Sequence, residues 1–176
     1  MSRARVLLVA MAAAAAVTSV QAADPKPYRD DARGFQTMIP EGWSDFAGGT
    51  TTYSADKSVS CTVTVSPNPR TANMSQDQVN ATLVVYTADV WRKQFFSGGA
   101  TGSIDQAGIT RLEAFDAPWA KGRITYPGRA AAKFTVLMVQ GPGKIVSGTC
   151  TGEPSGYDKN ENLYGIGKVL NYLRPT

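Results

Sequence analysis

Residues 58–66 constrain the fold more than any other stretch. Val59, Cys61, Val63 and Val65 alternate with Ser60, Thr62 and Thr64. A strict period of two in β-branched residues describes a strand with one buried and one polar face. Such a strand needs a sheet around it and a layer over its apolar side. It also places Cys61 among the buried positions, and the chain has only one other cysteine, Cys150.

The compartment decides how that pair reads. Residues 1–22 have the form of a secretory signal peptide: Arg3 and Arg5, then an apolar run over 6–17, then Val20-Gln21-Ala22 with small residues at −3 and −1. Cleavage is expected before Ala23. The apolar run is shorter than the roughly 20 residues that span a bilayer, and no second span follows, so no transmembrane segment is expected after cleavage. The predicted location is periplasmic or secreted, in a bacterium. In an oxidising compartment an even cysteine count favours a disulfide, Cys61–Cys150, across adjacent strands; two buried thiols are the alternative.

The whole chain has 176 residues, 18 basic and 14 acidic, for a net charge of +4. The leader carries two arginines and no acid, so the mature chain carries +2. That small excess and the compartment exclude nucleic acid as a partner. There is no histidine, which excludes a Ser-His-Asp triad, a Cys-His pair and His-ligated zinc. No metal site and no cofactor are predicted.

Along the mature chain, residues 23–34 are poor in apolar side chains and read as an extended lead-in to a single α+β domain over 35–176. Short strands are expected at 35–39 and 50–54, ahead of the alternating strand. A helix over 76–97 follows, with Ser75 and Gln78 as a capping box and Val79, Leu83, Tyr86 and Val90 as its stripe. Strands are expected over 104–115, with an irregularity at Gly108, and over 119–126. A hairpin joins 133–140 to 145–150 through a four-residue loop, 141–144. A final helix over 159–173 has Asp158 and Glu161 as its capping pair and Leu163, Ile166, Leu170 and Leu173 as its stripe. The architecture predicted is a curved antiparallel sheet flanked by two main helices.

Phe35-Gln-Thr-Met-Ile-Pro-Glu-Gly-Trp43 resembles the opening strand of the PsbP-like superfamily, where an apolar strand runs into Pro-x-Gly-Trp. The order of elements over 34–174 is similar as well. The resemblance implies an α-β-α sandwich. Members share that fold and not one function, and few are enzymes. No functional residue of theirs can be placed on a matching motif here, so function must come from the site.

Familiar motifs fail. Gly143-Lys144 lacks the P-loop's first glycine and its hydroxyl residue, having Met138 and Ile145 there; Gly165-Ile166-Gly167 lacks the third glycine of a dinucleotide loop. The carboxylate pairs Glu113/Asp116 and Asp158/Glu161 are explained by solvation and by capping. Lys144 and Ser147 only imitate a dyad.

One charge pattern remains. Between 117 and 151 there are five basic residues, Lys121, Arg123, Arg129, Lys133 and Lys144, and no acid. Trp119, Lys121 and Arg123 alternate onto one face of a strand and form the candidate partner-binding cluster, aimed at an anionic group. The bland alternative is a solvated sheet face. The function read from the sequence is an exported, non-enzymatic binding or envelope-assembly protein whose partner is an unknown protein or anionic ligand of the cell envelope. The alternative is a small periplasmic hydrolase that uses carboxylates without histidine.

Overall fold

The computed structural model describes residues 24–46, 48–162 and 165–176. The signal-peptide reading and Leu163 of the last stripe lie outside them. Lys26–Asp30 (β1), Phe35–Ile39 (β2), Thr51–Tyr53 (β3) and Val59–Pro67 (β4) come first. Gln76–Ala81 (α1) and Ala88–Phe96 (α2) follow, then Thr101–Leu112 (β5), Phe115–Thr125 (β6), Ala132–Gly141 (β7) and Lys144–Gly152 (β8). Pro154–Asn160 (α3), Ile166–Asn171 (α4) and Arg174–Pro175 (β9) close the chain.

The alternating segment is β4, flanked by β3 and β8 in a six-stranded antiparallel sheet of order β3-β4-β8-β7-β6-β5. Val59, Cys61 and Val63 are buried, and Cys61 sits opposite Cys150 of β8. The two form a disulfide with a Cα–Cα distance of 3.9 Å, across a sequence separation of 89. It is buried in an apolar layer with Leu137, Val139, Val146, Tyr157, Val169 and Leu170. A three-stranded sheet of order β1-β2-β9 and the helices α3 and α4 build the rest of that layer. Lys26–Asp30, within the expected lead-in, thus pairs along its length with β2.

The opposite face of the large sheet carries a second core, in which Ala120, Ile124, Phe134, Val136 and Met138 meet Leu83 and Trp91. The alternation of β6 and β7 feeds both cores, because neighbouring residues on a strand point to opposite faces. The result is an α+β sandwich with the sheet in the middle. Each buried large apolar side chain contributes about 1.5–3 kcal/mol.

Each expected helix is two short segments. Ser75 and Gln78 form the capping box of α1. The chain then tightens into a 3₁₀ turn, Thr82–Val85, and leaves helical geometry at Tyr86. Thr82, Val84 and Val85 are β-branched and crowd the preceding turn; the stripe ignored that cost. Trp91 of α2 is buried, in ring contact with Tyr86 and Phe95.

The closing helix is displaced. α3 starts earlier, with Pro154 in its first turn and the Glu153 carboxylate accepting from the Gly156 N–H. Glu161 therefore ends α3 instead of opening a helix. The signal was Glu153-Pro154, an N-cap followed by proline at the first helical position. α4 lies directly on the sheet because β8 carries Gly148: a Cβ there would come within 2.7 Å of Leu170 Cδ2 and 3.0 Å of Leu173 Cδ2. The β7–β8 turn is tighter than expected, with Gly141 opposite Lys144 and only Pro142-Gly143 between.

Reduction should destabilise this fold strongly. The chain-entropy model gives about 4–5 kcal/mol for a loop this long. The expected result is a large fall in melting temperature under reductant, with alkylation of Cys61 and Cys150 only after unfolding. Rapid alkylation of both in the native, unreduced protein would contradict the bond.

The β3–β4 turn supplies a pH dependence. Asp56 Oδ1 accepts from Ser54 Oγ at 2.7 Å, Ser58 Oγ at 2.6 Å and the Ser58 N–H at 3.0 Å. The Ser54 and Ser58 hydroxyls, then the Ser58 N–H, hold its carboxyl down to about 2. A folded value below the unfolded one, roughly 3.9, stabilises fully above that unfolded value. The contribution is lost as pH falls through about 2. Acid denaturation of Asp56→Asn should therefore be shallower in that window than that of the wild type; superimposable curves would remove Asp56 from the account.

Candidate functional site

The layer of helices does not cover the whole sheet. α4 packs on β2 and β8, and on the same face of β5 and β6 Gln106 is exposed and Thr110, Trp119 and Lys121 are half-buried. A groove of about 470 Å³ remains between that face and the α3–α4 region. Gln106 and Thr110 of β5, Trp119 and Lys121 of β6, and Thr135 and Leu137 of β7 line its sheet side; Glu161, Asn162, Ile166, Gly167, Leu170 and Asn171 line the other.

Trp119 shapes the floor. It is half-buried, opposite Gly108 on β5 and Leu137 on β7. A Cβ on Gly108 would lie 3.2 Å from the indole nitrogen, so the ring occupies the space that a side chain would take. The strand irregularity expected at Gly108 is instead a bulge at Asp105, between Ile104 and Gln106.

Trp119, Lys121 and Arg123 share one face of β6, but only the first two line the groove. Arg123 is exposed beyond its end, directly opposite Lys133 of β7. Two cations in that position repel each other, and both are compensated by acids from other elements. Arg123 Nε lies 3.9 Å from Asp105 Oδ2, and Lys133 is bonded to Asp158 of α3. Lys121 Nζ donates to Glu161 Oε1 at 3.1 Å. The stretch without acids in sequence is thus matched in space by Asp105, Asp158 and Glu161. Asp158 and Glu161, expected as a capping pair, are ion-pair partners of the basic face.

The remaining members of the basic stretch lie elsewhere. Lys144 is at the far end of β8 and donates to the Thr176 carbonyl at 2.6 Å. Arg129 is exposed in the β6–β7 turn, beside exposed Tyr126. Beside the groove, the Tyr157 hydroxyl is hydrogen-bonded to Thr135. Burial raises its pKa above the ordinary phenol range, which keeps it neutral. Among the described residues no three Cys, Asp or Glu side chains converge as a metal site, and no helix is long and apolar enough to cross a membrane.

Exposed ion pairs of this kind couple weakly, by about 0.2–1 kcal/mol. A double-mutant cycle of Lys121→Met and Glu161→Gln should return a coupling in that range, read by denaturant unfolding. A coupling several times larger would make the pair a structural bolt rather than a polar end to the groove.

No family model matches the chain, and no curated protein matches it. Solved structures do. Cyanobacterial PsbP (CyanoP) of Synechocystis sp. PCC 6803 is similar over 93% of this chain and 99% of its own, with a TM-score of 0.56 at 13% identity. A protein of Bacteroides thetaiotaomicron VPI-5482 is similar over 86% of this chain and 48% of its own, with a TM-score of 0.52 at 12% identity. The chain therefore has a PsbP-like fold, and at these identities the likeness extends to the fold alone.

Proposed function

We propose that the protein is exported to the bacterial periplasm, with residues 1–22 removed before Ala23, and acts there as a non-enzymatic binding or envelope-assembly factor. The partner sits on the open face of β5–β7, with Trp119, Lys121 and Arg123 as its contacts and an anionic group facing the two cations. The observation that carries this reading is that Trp119 and Lys121 line one groove with Arg123 next along the strand.

The buried disulfide supports export, since such bonds persist in oxidising compartments. The groove itself supports binding over hydrolysis. A carboxylate hydrolase needs two acids facing one cleft; among the described lining residues Glu161 is the one acid, and it is held by Lys121. An anionic partner exchanges with Glu161 and Asp105 at this surface. Because the pairs are exposed, the exchange costs little and its net gain is small. The cations then orient the anionic group, and affinity comes from apolar burial on Trp119.

The test is affinity capture from periplasmic extract and envelope lipids, with the wild type and a Lys121→Glu, Arg123→Glu variant. At least one partner should disappear from the variant, and its capture by the wild type should weaken with salt as screening shortens the Debye length to about 8 Å at 0.15 M. Trp119→Ala should remove the part of the binding that salt leaves intact. A partner list unchanged at low salt would reduce this surface to a solvated face.

A further inference from the structure

We infer that the cavity at the C-terminal end of α4 is a phosphate-binding site built on Arg174, and that Glu113 occupies the place the phosphate takes. Among the described residues it shares only Gly167 and Asn171 with the Trp119 groove, and it does not depend on that groove's binding a partner.

Arg174 carries the inference. It belongs to β9, opposite Gln36 of β2, and is 7% exposed. A guanidinium has five N–H donors in a fixed fork. Its Nη1 donates to the Asn171 and Leu173 carbonyls at 3.0 and 2.7 Å. Its Nε is buried and, among the described residues, has no hydrogen-bond partner. Its Nη2 lies 3.6 Å from Glu113 Oε1, close enough for an ion pair and too far for a hydrogen bond. The Nε–Nη2 edge is the one that holds an oxyanion by two parallel bonds, and it is the edge left unused. A buried charge without full hydrogen bonding is costly. Glu113 offsets little of that cost, because its side chain is 77% exposed and remains mostly in water.

The surroundings select the anion. The cavity has a volume of about 440 Å³, and Glu113 is the one acid among its described lining residues. Arg111 of β5 also lines it, but its Nη1 donates to Asp116 at 2.8 Å and its Nε to the Glu113 carbonyl at 2.9 Å. Arg111 therefore holds the turn that carries Glu113 and adds no spare charge. On the other side, Lys168 and Asn171 are three residues apart on α4 and share one face of it. A carboxylate gripped by the Arg174 fork has both its oxygens spent there. A phosphate keeps further oxygens for the ammonium and the amide of the helix. The exchange is not neutral: Glu113 leaves without losing a hydrogen bond to Arg174, and the phosphate gains two.

Calorimetric titration of the mature protein at constant ionic strength tests this, with inorganic phosphate and acetate as probes. Phosphate should bind with a Kd of about 1 mM or below, and acetate about fivefold or more weakly. Glu113→Gln, at an exposed position, should tighten phosphate about fivefold by removing its competitor. Lys168→Met should weaken it about fivefold. Arg174→Lys should abolish binding, since an ammonium lacks the fork. Because Arg174 also caps α4, Glu113→Gln keeps the test decisive if that variant does not fold. Flotation with phosphatidylglycerol vesicles, against phosphatidylcholine vesicles, separates the sources of the phosphate. Vesicle binding that Glu113→Gln strengthens and inorganic phosphate displaces supports the site with a lipid headgroup as its ligand; phosphate binding without vesicle binding supports it with a soluble phosphate. Absence of binding to both at millimolar concentration overturns the inference, and so does an affinity unchanged or lowered in Glu113→Gln. Acetate binding as tightly as phosphate overturns the phosphate assignment.

Discussion

The pairing of β4 with β8 is the contact on which the remaining architecture depends. It joins two strands from distant parts of the chain, and everything from α1 through β7 lies in the connection between them. Closing so long a loop costs entropy before any contact returns it. The Cys61–Cys150 bond lies within that pairing, between residues directly opposite each other, and limits the freedom of the unfolded chain. It also fixes the register. A slip by one residue would turn Val59, Val63 and Val65 from the core side to the polar side.

Once that register is set, the two faces of the sheet are committed. Odd positions of β4 and β7 and even positions of β8 share one face, where Val63, Leu137, Val139, Val146 and the cystine form a layer. That layer must be covered, and α3, α4 and the small sheet cover it. Gly148 sets how closely α4 approaches, and Thr37 Oγ1 donates to the Val169 carbonyl, tying β2 to the same helix. Arg174 donates to the Asn171 and Leu173 carbonyls, satisfying acceptors at the end of α4. The groove is the consequence of cover that stops short. α4 is a short helix, and β5 and β6 extend beyond it with Trp119 as their half-buried margin.

The charges follow the same geometry. A row of cations on adjacent strands, Lys121, Arg123 and Lys133, would repel itself if nothing faced it. The end of α3, the residue after it and the β5 bulge each bring a carboxylate to the row. The bulge has a second effect, since an acid at an irregular edge position discourages other strands from pairing there. The open face is thus nearly balanced in charge.

Much of this was legible in the residues. The alternation of 58–66 identifies a buried strand and Ser75 with Gln78 marks a helix start, because each of these signals acts over a few neighbouring residues, and the even cysteine count points to a cystine. The single-face relation of Trp119, Lys121 and Arg123 is equally local, a property of strand geometry alone. What tertiary structure decided was everything that depends on residues far apart in the chain. The stripe over 76–97 put Val79 and Leu83 in the interior, yet the chain tightens at Thr82–Val85, where three of four residues are β-branched, and leaves helical geometry at Tyr86. Asp158 and Glu161 have the spacing of a capping pair, but Glu153-Pro154 started the helix earlier and left both acids to face lysines 25 and 40 residues away in sequence. The stretch 117–151 carries no acid of its own, and no inspection of it alone could show that Asp105, Asp158 and Glu161 would neutralise it. Local sequence fixes which way a side chain points; only the packed sheet determines what it meets there, because charge and apolar surface are satisfied through space and not along the chain.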